Sequence, residues 1–95
     1  MKKLTKKRRL EIYKDALSFI QEDIEKNGYY HQGFCWAICQ VIEEDEPWPY
    51  SDMRKYRELY SHKPPKYVDH HWWLLDDEGD KIRIAVLMSV IEKME

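Results

Sequence analysis

Ninety-five residues make one domain, and a composition that is 43% hydrophobic and 36% charged belongs to a folded chain rather than a disordered one. Sixteen Lys and Arg against eighteen Asp and Glu leave a net charge of -2, which argues against a nucleic-acid coat or a polybasic membrane binder. Two cysteines and no apolar run of about 20 residues exclude the disulfide-dense and membrane-spanning classes.

Residues 1–9 read as a basic N-terminal arm, with six Lys or Arg between Lys2 and Arg9 and no acid. Such an arm contacts phosphate or frays as a solubilising terminus, and the acidic patches elsewhere favour the second role. Glu11, Lys14 and Asp15 interrupt the apolar core that a secretory signal needs, so a cytoplasmic location is expected. Residues 10–95 read as a single helical domain. Leu10, Tyr13, Leu17, Ile20 and Ile24 recur at spacings of three and four, widened by Ile12, Ala16 and Phe19, and predict a helix over about 6–26. Thr5 is its expected cap and Asn27-Gly28 its expected stop.

A second helix is predicted over 34–44, after Gly33. It is apolar around most of its circumference, which predicts the central, most buried position. Cys35 and Cys39 lie on it four apart and read as reduced, buried thiols. Glu43, Glu44, Asp45 and Glu46 crowd the helix C-terminus, where the dipole disfavours them, so the run is expected to fray into solvent. Pro47-Trp48-Pro49-Tyr50 reads as an extended connector. Ser51 or Asp52 then caps a short helix over 53–60, with Arg54, Lys55 and Arg57 on its outer side, and Pro64-Pro65 ends any helix.

Residues 67–75 are ambiguous. Alternation and β-branched or aromatic content allow a short strand, but no partner strand is evident, so an irregular or extended segment across the helices is expected. Asp80 is the expected cap of a last helix over 81–94, with Ile84, Leu87, Met88, Ile91 and Met94 as its stripe and Ile82, Val86 and Val90 beside it. That is more apolar surface than one flank of a small bundle hides, and it favours a homo-oligomer. The expected fold is mainly α: a small four-helix domain with one extended aromatic segment, or a short strand, packed across it.

The order of these pieces carries a resemblance. An amphipathic helix is followed by Gly33-Phe34-Cys35-Trp36, then Glu58-Leu59-Tyr60-Ser61-His62-Lys63-Pro64, the Trp72-Trp73 pair, an acidic turn with Gly79, and a closing helix carrying Arg83. This resembles a group of small phage and prophage accessory proteins. The sequence departs from that pattern at Arg57, where proline is usual, and at Leu74-Leu75, where a Trp-Phe-Pro type of sequence is usual. The resemblance implies a phage-encoded protein acting in the cytoplasm of a bacterial host cell, against host defence.

Tyr60 to Trp73 has the most unusual composition: two Tyr, two Trp, three His and two Lys in fourteen residues. Flat faces for stacking and cations for phosphate in one stretch point to an anionic, planar ligand such as a nucleotide signal. In this reading Trp72 and Trp73 stack, Tyr60 supports them, and Arg54, Arg57, His62 and Lys63 meet the phosphates. The competing reading is that the indoles only supply bulk to a small core. Zinc on His62, His70 and His71 with Cys35 or Cys39 matches no standard spacing, so no metal or cofactor is expected. The sequence places no activating positive charge near Cys35, so no catalytic residue is assigned and a non-enzymatic binding protein is expected. The alternatives are a protein–protein inhibitor of a host protein and, against the overall charge, a nucleic-acid-associated accessory protein. A helix-turn-helix reader is disfavoured by the four carboxylates between its would-be helices.

Overall fold

The computed structural model describes residues 4–46 and 58–95. Helix α1 spans Lys6–Asn27 and so begins inside the basic segment. Both of its ends are made as the sequence predicts. The Thr5 hydroxyl accepts the Arg8 N–H at 3.0 Å. Gly28 takes the left-handed conformation, φ 84°, and its N–H closes on the Ile24 carbonyl at 2.7 Å. The stripe buries Ile12, Tyr13, Ala16 and Ile20. Leu10, Leu17 and Ile24 are only half-buried, so the core side is turned slightly from the one the spacing marks.

Helix α2, Phe34–Val41, stops three residues before the predicted end, because Ile42 is already extended. The carboxylates after it therefore never join the helix C-terminus. Glu43, Glu44 and Asp45 are exposed, but Glu46 does not fray: its carboxylate accepts the Arg8 Nε–H at 2.8 Å across the α1–α2 corner. The central position expected for this helix is also corrected. Only Phe34, Ala37 and Ile38, at i, i+3 and i+4, are buried, and the opposite face looks outward. Cys35 and Cys39 sit on that outer face as free, exposed thiols rather than buried ones.

The Pro47–Tyr50 connector and most of the predicted helix over 53–60 lie outside the described residues. Glu58 and Leu59 are helical and run into a 3₁₀ turn, Tyr60–His62. A second 3₁₀ turn, Pro65–Tyr67, follows. From there the chain moves by successive turns, closed by Val68 N–H on Pro65 O, His70 N–H on Tyr67 O and Leu74 N–H on His71 O. Among the described residues there is no strand, so the aromatic segment is folded on itself rather than extended.

Helix α3 spans Asp77–Met94. It starts four residues before the predicted boundary, and Asp76 rather than Asp80 is its cap, accepting the Gly79 N–H at 2.9 Å. Asp77, Glu78 and Asp80 then fall in the first turn, where the helix dipole favours negative charge. The buried face is Ile82, Arg83, Val86, Leu87 and Val90; Met88, expected inside, is 54% exposed. Helix α1 packs on α2 and α3, and α3 carries the Tyr60–His62 turn on another side. The described residues hold these three helices rather than the four expected, and one core joins their buried apolar residues to Tyr30, Leu59 and Tyr60. No described helix is long and apolar enough to cross a membrane.

Candidate functional site

The start of α3 is built around a buried ion pair. Asp80 and Arg83 lie one helical turn apart, with side chains 7% and 0% exposed and Nη2 to Oδ1 at 2.8 Å. The Asp80 carboxylate also accepts the backbone N–H groups of Tyr30, at 2.9 Å, and His31, at 2.7 Å. Arg83 Nη1 donates to the Leu74 carbonyl at 2.7 Å, and the Tyr30 ring stands 5.7 Å from the guanidinium carbon. The pair thus ties the α1–α2 linker and the aromatic segment to one helix. Gly79 is what allows this approach. A Cβ there would lie 2.0 Å from the Leu74 carbonyl oxygen and 2.8 Å from Arg83 Nη2. Burial pushes the Asp80 pKa up, but the Tyr30 N–H, the Arg83 guanidinium and the His31 N–H together outweigh it and hold the carboxyl below its ordinary value.

Above this pair the aromatic side chains form a chain of contacts. Phe34 and Tyr60 rings are 4.6 Å apart, Tyr60 and Trp72 5.5 Å, and Trp72 meets Trp73 edge-on at 5.5 Å. His71 stacks on Trp73 at 4.5 Å. Between them lies a cavity of about 190 Å³ lined by Phe34, Tyr60, Trp72, Trp73 and Leu75, with Gly33, Cys35 and the buried Arg83 completing its wall. Tyr60 is buried and Trp72 half-buried, whereas Trp73 is 56% exposed. Burial pushes the Tyr60 phenol pKa up, and the nearby Arg83 charge partly opposes it.

The residues singled out from the sequence divide between places. Tyr60, Trp72 and Trp73 come together on this cavity. His62 and Lys63 line a second, more open one of about 490 Å³ with Pro64, Met88 and Lys93. There Lys63 Nζ donates to the His70 carbonyl at 2.5 Å, and Lys93 Nζ donates to His62 Nδ1 at 3.2 Å. Burial and then the Lys93 charge push the His62 pKa below 6.5. Arg54 and Arg57 lie outside the described residues.

Among the described residues one trio of ligand-type side chains converges, His31, Asp77 and Asp80, with His31 Nε2 2.9 Å from Asp77 Oδ1. Both Asp80 oxygens are already hydrogen-bond acceptors, which leaves little of that carboxylate for an ion. His31 itself is held in the left-handed region, φ 51°, by its contacts to the two aspartates.

Sequence reading did not single out Arg83, Phe34 or Leu75 as site residues. For Arg83 a signal exists: it is the only charged residue from Ile82 to Ile91, preceded three positions earlier by an acid. Comparison with protein-family models, with curated proteins and with solved structures finds no match.

Proposed function

We propose that this chain is a non-enzymatic binding protein that takes the flat ring of a small anionic ligand between Trp72, Trp73 and Tyr60. On the resemblance to phage accessory proteins, the ligand is a host nucleotide signal and the role is counter-defence by sequestration in the bacterial cytoplasm. The observation that carries the reading is the cavity itself: four aromatic side chains from three parts of the chain surround one ring-sized space, and the outermost indole is more than half exposed. Aromatic walls hold rings by stacking and burial whatever their sequence context. Arg54 and Arg57, six and three positions before Tyr60, are the proposed contacts of the anionic group, with His62 and Lys63 on the adjoining turn. Calorimetric titration with a panel of cyclic and linear nucleotides tests this. Binding that is weakened at least tenfold by Trp73→Ala supports it, and the absence of heat with every nucleotide refutes it.

A second reading is inhibition of a host protein. It is favoured by Tyr29, Trp36, Trp73 and Leu75, each more than half exposed, since exposed aromatics anchor protein interfaces. Stoichiometric capture of one host protein, lost in Trp36→Ala, separates it from the first. Met88 on α3 and Val68 are likewise exposed and are the proposed contacts of a homo-oligomer, which solution mass tests. A nucleic-acid role through the basic arm is disfavoured, because Arg8 is engaged by Glu46 and Glu11.

A further inference from the structure

Arg83 is fully buried, and its hydrogen bonds engage only two of its three nitrogens. Nη1 holds Leu74 and Nη2 holds Asp80, while the Nε–H has no acceptor among the described residues. The Tyr60 hydroxyl is near the guanidinium but does not accept from Nε. A buried, charged donor without an acceptor is costly, and the same side chain lines the aromatic cavity. We propose that the Arg83 Nε–H is the polar contact of that cavity, and that it selects a neutral, flat heteroaromatic ring carrying an acceptor nitrogen or oxygen in the ring plane, as a nucleobase does. The proposal rests on the ring-binding reading above and adds which feature of the ring is recognised.

Three observations define the ligand class. The first is size: a cavity of roughly 150 Å³ holds a benzene ring, so about 190 Å³ takes one ring or a small fused pair and leaves a phosphate outside. The second is charge. Arg83 is already neutralised by Asp80 at 2.8 Å, so the cavity presents a directional donor and no net positive charge. A carboxylate or phosphate drawn in would lose its hydration and lie near the Asp80 carboxylate, whereas a ring nitrogen or carbonyl meets neither penalty. The third is shape: Phe34, Tyr60, Trp72 and Trp73 offer faces and edges, which exclude water from the single hydrogen bond and strengthen it.

The test uses the unmodified protein, because Arg83 variants also lose the bonds to Asp80 and Leu74. Indole and 7-azaindole share a skeleton and differ by one in-plane acceptor nitrogen. Each is titrated while the ring resonances of Trp72 and Trp73 and the Arg83 Nε–H are followed by nuclear magnetic resonance. The expected result is that both probes shift the indole signals, that 7-azaindole binds at least about fivefold tighter, and that it alone moves the Nε–H proton downfield. Equal affinities with an unmoved Nε–H overturn this inference and leave the ring-binding reading standing. Indole signals unmoved by either probe overturn both.

Discussion

Replacing Asp80 with asparagine keeps the shape of the side chain and removes its charge. Arg83 would then be a guanidinium at 0% exposure with its counter-charge gone, and whichever way the new amide is turned its NH2 faces a donor: the Tyr30 N–H on one side, or the His31 N–H and the Arg83 Nη2 on the other. Breaking a buried pair by removing one partner costs about 3–5 kcal/mol. A domain of this length holds roughly 5–14 kcal/mol in total, so the loss takes a large share of it and lowers Tm by at least about 12 °C. Urea unfolding at pH 7, followed by far-UV circular dichroism, measures it. A second substitution, Arg83→Met, tests the cause: in the double variant the unpaired charge is gone, and part of the stability should return. The pH dependence has a fixed sign. Asp80 has its pKa lowered in the folded state, so its stabilisation is complete above the ordinary value of 3.8 and disappears as pH falls through the lower folded value. The Asp80→Asn protein should lack that part of the acid slope. A loss below about 1 kcal/mol, or an acid slope unchanged by the substitution, would refute the view that this pair holds the linker, the aromatic segment and α3 together.

Gly79→Ala should cost at least about 2 kcal/mol in the same assay, since the new methyl would meet a backbone carbonyl at 2.0 Å that Arg83 holds in place. Trp73→Ala and Tyr60→Ala should part company: the exposed Trp73 costs under about 1 kcal/mol and weakens ring binding at least tenfold, while the buried Tyr60 costs about 3–5 kcal/mol. Equal losses would contradict the assignment of Trp73 to a binding surface. The His62 pKa is lowered on folding by burial and by Lys93, so the unfolded chain takes up the proton first and stability falls as pH drops below 6.5. His62→Gln should reduce the difference in urea midpoint between pH 7.5 and 5.5; an unchanged difference refutes the assignment. Both thiols should react with a disulfide reagent in the native protein, Cys39 more slowly because burial, and then the neighbouring Cys35, raise its pKa. Thiols that react only after denaturation would return them to the core.

Features set by near neighbours were legible in the residues. The length of α1, its Thr5 cap and its Gly28 stop all depend on groups within four positions, so periodicity and capping chemistry predict them. The gathering of Tyr60, Trp72 and Trp73 was legible as composition, because aromatics this dense in a polar stretch must pack on something. Long-range partners set the rest. Asp76 and Asp80 are equally good caps locally; the choice fell to Asp76 because Asp80 is claimed by Tyr30 and His31, about fifty positions away. An apolar eight-residue helix has no obvious inner face, and α2 acquired one only from what α1 and Tyr60 present to Phe34, Ala37 and Ile38. Arg83 stands in an apolar run as an apparent exception. It becomes a wall of the cavity because Asp80, one turn earlier, cancels its charge and Gly79 lets the Leu74 carbonyl approach; the spacing shows the first contact, and only the folded chain shows the second.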